Sequence, residues 1–405
     1  MSDDRLRRDL VAHLQANDCL ASGPVAEAFR TVPRHLFLPG GEVDRAYRDE
    51  PIVTKTDAAG RPISSSSQPA IMAIMLEQLA VSPGDRVLEI GAGTGYNAAL
   101  LTHLVGPTGS VVTMDIDDDI ADAARQSLAA CGLSSVTVVH GDGALGWAPG
   151  APYERIILTV GASDLAPAWV DQLAPGGRLV LPLALGGRQY SIAFTGAGDH
   201  LDSRSIRDCG FMRLRGELAG SEVRHPLDED GELSLELDQE LDVDPAALLT
   251  ELARPAADVA TGVRLTTGGL WSLVGWLCVH DPKIARLTAT GTAAEGGLAP
   301  ACFQGPGWAA TFALVDRGSL AALAPACERS DVELAVRPVG PHGSQLAARL
   351  IALIQQWDDQ GRPSTEDLRV RAYRQGATPR PSAEVVLDKR HARLALDWRG
   401  WAARS

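Results

Sequence analysis

Two short stretches of this chain place residues able to do group-transfer chemistry near one another. One is Ser64-Ser65-Ser66-Ser67-Gln68-Pro69, four hydroxyls ahead of a Gln-Pro pair. The other is Glu89-Ile90-Gly91-Ala92-Gly93-Thr94-Gly95, an acid and three alternating glycines that follow an apolar run. Glycines placed between a strand and a helix let the backbone turn sharply and approach a ligand closely. Asp115 closes the next apolar run, about 20 residues past the turn, where an acid takes ribose hydroxyls. Asp142 and Gly143 close a third, in His-Gly-Asp-Gly, where a carboxylate and a tight turn can hold a base edge. The serines either form a solvated polar loop or offer a hydroxyl that orients a substrate.

The elements around these residues read as a regular alternation. Residues 86–91, 110–115, 135–142, 153–161 and 177–185 are strand-like, and 97–106, 118–133 and 166–174 are helical. Short apolar strands between amphipathic helices predict a parallel sheet covered on both faces. Helices are also predicted over 4–16, within 23–31, and over 70–81 after the serines. The acid before the glycines and the run of strands favour S-adenosylmethionine as the ligand of this turn. A dinucleotide stays open, because Asp115 suits NAD as well. No Gly-Lys-Ser/Thr follows the glycines, which argues against a phosphate-cradling loop. The pattern fades near residue 200, and an acidic stretch over 228–244 reads as a solvated face. The expected organisation is 1–80 for N-terminal helices and the serine segment and 81–220 for a Rossmann-like core. Residues 221–405 form a smaller α+β extension whose clearest helix is 344–357.

Composition narrows the partners. The chain has 405 residues and a formal net charge of −14, which argues against nucleic acid, since counterion release needs clustered Lys and Arg. Its six cysteines are scattered without a C-x-x-C pair, which gives no zinc or redox motif and fits a reducing compartment. His35, His103 and His140 lack ligand spacing, so no metal is expected. The N-terminus has no secretory apolar core, and no window approaches the roughly 18 apolar residues of a membrane span. A cytoplasmic protein without a membrane partner is the expectation. Trp271, Trp276, Trp308 and Trp357 are expected in the core.

Several motifs, in order and spacing, carry a resemblance. They are Val-Pro-Arg-His-Leu-Phe-Leu-Pro (32–39), Ala-Tyr-Arg-Asp-Glu-Pro-Ile (46–52), Ile-Ser-Ser-Ser-Ser-Gln-Pro (63–69), the glycine turn, His-Gly-Asp-Gly and Gly-Gly-Arg-Leu-Val-Leu-Pro-Leu (176–183). As far as about residue 215 the chain resembles protein-L-isoaspartate O-methyltransferases. The resemblance implies a class I S-adenosylmethionine-dependent methyltransferase fold, with S-adenosylhomocysteine as the product. It puts the catalytic serine at Ser67 and cofactor contacts at Glu89, Gly91, Gly93, Gly95, Asp115, Asp142 and Gly143. Substrate contacts fall at Tyr47, Asp49, Ser66 and Gln68, though Tyr47 and Asp49 equally suit pinning their loop. The implied reaction methylates the carboxylate that an isoaspartyl residue holds off the main chain.

The resemblance has departures. Ser65-Ser66 stands where the family has Thr-Ile, and Cys-Gly-Phe-Met-Arg-Leu-Arg-Gly-Glu (209–217) replaces a Val-Arg-Phe-Val-Pro-Leu-like segment. These changes, with the long extension, look like a branch that methylates a chosen aspartate in ribosomally made precursor peptides, giving aspartimide and isoaspartate. The expected partner is therefore such a precursor; the alternative is an isoaspartyl-containing polypeptide under repair. A protein that keeps the fold and only binds cofactor or peptide is the second alternative.

Overall fold

The computed structural model describes residues 3–40, 43–58, 60–220, 223–237, 239–254, 256–325, 332–379 and 382–398. Helices α1 (Asp3–Ala16), α2 (Pro24–Thr31) and α3 (Val43–Ala46) come first. α1 buries Leu10, Val11 and Leu14 as one stripe, and α2 begins at Pro24, whose missing N–H is harmless in a first turn. The serine run is a strand rather than a loop. Strand β1 (Ile52–Thr56) pairs antiparallel with β2 (Pro62–Ser66), setting Ile52 opposite Ser66 and Val53 opposite Ser65. Side chains alternate along it: Ser64 and Ser66 are buried and Ser65 only half-buried. Pro69 then opens α4 (Pro69–Leu79).

The predicted alternation follows as β3 (Arg86–Ile90), α5 (Tyr96–Val105), β4 (Ser110–Asp115), α6 (Asp118–Ala130), β5 (Thr137–His140), β6 (Tyr153–Leu158), α7 (Pro167–Asp171) and β7 (Leu173–Leu185). These strands lie parallel in the order β7-β6-β3-β4-β5. The chain fills one side of β3 and then crosses to the other. That reversal opens a crevice at the carboxyl ends of β3 and β6, where open α/β sheets bind ligands. Val87, Leu88, Ile156 and Ile157 of the central strands are almost wholly buried.

The last predicted strand ends at residue 185, but the sheet continues. β8 (Arg188–Ala197) and β9 (His200–Cys209) pair antiparallel. The following elements are β10 (Val223–Pro226), β11 (Leu233–Leu237), α8 (Pro245–Leu252), β12 (Val259–Leu265), α9 (Thr267–His280) and β13 (Ile284–Thr290). After these come α10 (Gly291–Glu295), β14 (Phe303–Gly305), β15 (Trp308–Asp316), β16 (Ser319–Pro325), β17 (Val332–Val339) and α11 (Gly343–Asp359). Their strands make a separate sheet in the order β10-β11-β13-β15-β16-β17-β12, with β14 paired to β15. Its core gathers Leu233, Leu235, Leu287, Val315 and Leu320.

The last strands return to the first sheet. β18 (Arg369–Arg374), β19 (Val385–Asp388) and β20 (Ala392–Asp397) complete the order β19-β20-β18-β9-β8-β7-β6-β3-β4-β5. One compact unit therefore comprises Met1–Leu183, Gln189–Gly220 and Arg369–Leu396, and the other Ala184–Arg188, Ser221–Leu368 and Asp397–Ser405. The expectation of one continuous extension over 221–405 did not foresee this return, because sheet pairing between distant segments leaves no local periodicity. Trp276 and Trp357 are core residues, 0% and 1% exposed, but Trp271 and Trp308 stand 42% exposed. Trp271 packs against Phe303, ring centroids 4.0 Å apart, with the Arg188 guanidinium 4.7 Å from its ring centroid. Among the described residues no helix is long and apolar enough to cross a membrane.

Candidate active site

A cavity of about 440 Å³ opens at the carboxyl ends of the parallel strands. Ile90 to Asn97 (Gly95 apart), Met114 to Ile116, Gly141, Gly143, Thr159 and Val160 line it from β3, β4, β5 and β6. Gly91, Gly93 and Gly95 have φ of 104°, 50° and 85°, in the left-handed region that favours glycine. A Cβ at Gly91 would lie 2.5 Å from Thr159 Oγ1, and one at Gly143 2.4 Å from Ile90 Cγ2, so neither position accepts a side chain. Asp115 Oδ2 accepts a hydrogen bond from Gly93 N at 3.0 Å and Oδ1 one from Asp117 N at 3.3 Å. Burial raises the Asp115 pKa, against the pull of those N–H donors. A carboxylate has about four acceptor positions, so it keeps capacity for hydroxyl donors from the cavity.

Two other predicted contacts act from behind this wall. Glu89 is fully buried and is not among the described lining residues. Its Oε1 accepts from Asn97 Nδ2 at 2.7 Å and its Oε2 from Thr113 Oγ1 at 2.5 Å, so it orients Asn97, which does face the cavity. Burial pushes its pKa up to about 7, with both hydrogen bonds opposing the rise. Asp142 likewise is not a lining residue. Its Oδ1 caps the turn at Gly143–Leu145 through Ala144 N at 2.9 Å, and its Oδ2 accepts from Glu217 N at 2.8 Å.

The serine arm forms the facing wall, with Ser64 to Gln68 among the lining residues. Ser64 Oγ accepts from Thr54 Oγ1 at 3.1 Å, and Ser66 Oγ accepts from Arg34 Nη2 at 3.3 Å. Among the described residues the Ser67 hydroxyl has no hydrogen-bond partner, which leaves it available to a ligand. Gln68 Nε2 donates to Asp49 Oδ2 at 2.9 Å, and Ala70 N to Asp49 Oδ1 at 2.8 Å. Asp49 thus caps the start of α4 from another segment. Tyr47 is buried, its hydroxyl 2.7 Å from His35 Nδ1. Neither Tyr47 nor Asp49 is among the described lining residues, so the structure gives both the loop-pinning role.

The family pattern described as Protein-L-isoaspartate(D-aspartate) O-methyltransferase matches residues 5–218. This chain belongs to that family. A protein-L-isoaspartate O-methyltransferase of Methanopyrus kandleri is 40% identical over 216 residues, 53% of this chain and 92% of its own. One from Rhodopseudomonas palustris is 45% identical over 201 residues, 49% of this chain and 78% of its own. A solved structure of a protein-L-isoaspartate O-methyltransferase overlays with a TM-score of 0.51 at 24% identity, covering 90% of this chain and 96% of that one. The N-terminal region has the class I methyltransferase fold that the resemblance implied, and the extra domain is mostly sheet.

The chain is thus an S-adenosylmethionine-dependent protein carboxyl O-methyltransferase. The cavity fits that donor: glycines clear the backbone, Asp115 offers free acceptor positions, and Met114, Ile116 and Ile120 give apolar walls. Among the described residues no group of three or more His, Cys, Asp or Glu is arranged to hold a metal ion. Two parts of the methyltransferase site were given no individual residue roles in the sequence. One is the rim at 211–215, inside the departure at 209–217, held to the turn after β6 by Gly161 N to Met212 O and Leu214 N to Gly161 O, both 2.7 Å. There Arg215 grips Asp117 with two hydrogen bonds, 2.8 and 3.2 Å, while Lys55 of β1 reaches Asp119 at 2.7 Å. The other is Arg34, which with His35 interrupts the apolar segment Val-Pro-Arg-His-Leu-Phe-Leu-Pro (32–39).

Proposed function

We propose that this methyltransferase esterifies the free carboxylate of isoaspartyl residues in polypeptides, the entry step of isoaspartate repair. The observation that carries the reading is the Ser67 hydroxyl, without a hydrogen-bond partner among the described residues, in the lining of the same cavity as the glycine turn. Likeness over nearly the whole length of the Methanopyrus kandleri protein supports the same substrate. Bound S-adenosylmethionine supplies an electrophilic methyl group on a sulfonium. A carboxylate is already a nucleophile, so the residues need to position it rather than move protons. Ser67 donates to one carboxylate oxygen and leaves the other aimed at the methyl carbon. A neutral hydroxyl does this without quenching the nucleophile. Asp115 would hold the ribose hydroxyls, and Gly91, Gly93 and Gly143 would admit the cofactor's backbone-hugging portion, while Gly95, outside the cavity lining, lets the turn pack against Ala124 and Leu128 of α6. Glu89 and Asp142 hold Asn97 and the Gly143 turn in place, and Gln68 fixes the serine arm through Asp49. With the donor bound, the carboxylate oxygen that Ser67 leaves free would take the methyl group, and the sulfur would keep the electron pair of the bond it loses. The ester carbonyl is then attacked by the following backbone nitrogen, methanol leaves, and water hydrolyses the succinimide to aspartate or isoaspartate.

A second reading makes the substrate one chosen aspartate of a ribosomally made precursor peptide, with the second unit helping to recognise it. It is favoured by the departures at Ser65-Ser66 and 209–217, both in the cavity walls. Mass spectrometry of peptides incubated with protein and S-adenosylmethionine separates the readings. Methylation of an isoaspartyl peptide, with its aspartyl twin untouched, upholds repair. Loss of water from one aspartate of a precursor encoded beside the gene, with the isoaspartyl peptide ignored, upholds the tailoring role. Cofactor binding with no methyl transfer to any of them leaves a binding protein.

A further inference from the structure

Arg34 is fully buried, and its guanidinium has no carboxylate in contact. Among the described residues every group it bonds is neutral. Nη1 donates to Ala46 O at 2.9 Å and Arg48 O at 3.3 Å. Nη2 donates to Ser67 O at 2.8 Å, Ser66 Oγ at 3.3 Å, Glu50 O at 3.4 Å and Ser66 O at 3.5 Å. Nε is buried without a partner. Asp49 and Glu50 act on this charge from a distance without touching it, their carboxylates hydrogen-bonded to Gln68 and Ala70 N and to Arg45, the last at 3.2 Å. The neighbouring rings are phenols, Tyr96 with its centroid 6.0 Å from Cζ and Tyr47, both held neutral by burial.

Burying an unpaired charge is costly, and proteins retain one where something compensates it. Carbonyl dipoles and the more distant Asp49 and Glu50 meet part of that cost here, but among the described residues no carboxylate touches the guanidinium, which lies one hydrogen bond behind the Ser66–Ser67 wall. We propose that Arg34 is a positioning residue for the substrate, and that the missing counter-charge is the substrate's own carboxylate, drawn to the serine arm by this buried cation. This rests on the carboxylate-methylating function above and deepens it. Methyl transfer neutralises the anion, so the same charge that attracts the substrate ceases to hold the ester. Arg34 therefore favours reactant over product and helps the ester leave before it cyclises. The guanidinium is suited to the task because it stays protonated even where burial draws its pKa down.

The test compares two peptides on protein saturated with S-adenosylhomocysteine, so that no reaction occurs. One carries the isoaspartyl carboxylate and the other a carboxamide in its place; calorimetry gives both affinities. Wild-type protein is expected to prefer the carboxylate by about tenfold or more, the scale of one charge acting across a few ångströms at an effective dielectric near 20. Arg34→Lys should retain most of that preference, whereas Arg34→Gln should bring the ratio close to one with carboxamide affinity nearly unchanged. If Gln does not fold, Arg34→Met, an apolar chain of similar length, makes the same neutral comparison. A neutral variant that weakens both peptides equally and keeps the ratio makes Arg34 a clamp only and overturns the inference. Wild-type protein that binds neither peptide removes the isoaspartyl function and the inference together.

Discussion

Replacing Glu89 by Gln tests the most unusual electrostatic feature of the methyltransferase core. The carboxyl is wholly buried, and its pKa is raised from 4.5 to about 7, chiefly by that burial. A buried acid of this kind is protonated more readily in the folded chain than in the unfolded one. Its contribution to stability is therefore intact below the unfolded pKa and is lost as pH rises toward the folded value. Each pKa unit is worth about 1.36 kcal/mol, so the whole effect is about 3 kcal/mol, of which about 2.5 falls between about pH 5 and about pH 8. Gln keeps the shape and an acceptor for Asn97 but cannot ionise. Urea unfolding of both proteins across that pH range should show wild type losing about 2 to 3 kcal/mol relative to Glu89→Gln. Parallel stability curves would mean that Glu89 titrates as an ordinary carboxylate, and would refute the reasoning.

Three further outcomes are expected. Ser67→Ala should lower kcat about 10- to 100-fold, the worth of one hydrogen bond to a charged group, with S-adenosylmethionine affinity by calorimetry within about twofold of wild type. Asp115→Ala should do the reverse, weakening cofactor affinity about tenfold or more while kcat at saturating cofactor falls little. Gly91→Ala places a Cβ 2.5 Å from Thr159 Oγ1 at a φ of 104°; it should lower the thermal midpoint by several degrees, about 1–3 kcal/mol, and weaken cofactor binding, whereas an unchanged midpoint would contradict the close approach.

The parallel core was legible because its strands are short and apolar and its helices amphipathic, and both properties are local. Gly91 and Asp115 were legible for a related reason, since a turn and a strand end fix their positions. Glu89 and Asp142 sit where the motif places them, yet their oxygens are spent on Asn97, Thr113, Ala144 and Glu217. Motif spacing reports where a residue stands along the chain and not which way its side chain is committed. The serine strand read ambiguously because alternation among four identical residues leaves no hydrophobic pattern to see. Least legible was the pairing of Arg369 with Asp202, 2.7 Å apart across 167 residues. Such contacts depend on which edge is left open once the nearer strands have paired.

That returning segment changes how the chain may be divided. β18 lies along β9, with Arg371 opposite Asp202 and Tyr373 opposite His200, and Val370 N donates to Ser203 Oγ at 2.9 Å. The second sheet unit is consequently an insert spliced into the methyltransferase, with catalytic-domain sequence on both sides of it, rather than a tail appended to it. A polypeptide stopped after residue 220 would retain every residue of the cavity but leave β9 as a bare edge, its N–H and C=O groups open to any passing strand. A clean dissection would instead excise 221–368 and bridge the gap with a short linker, keeping 369–396 as the sheet's own selvedge.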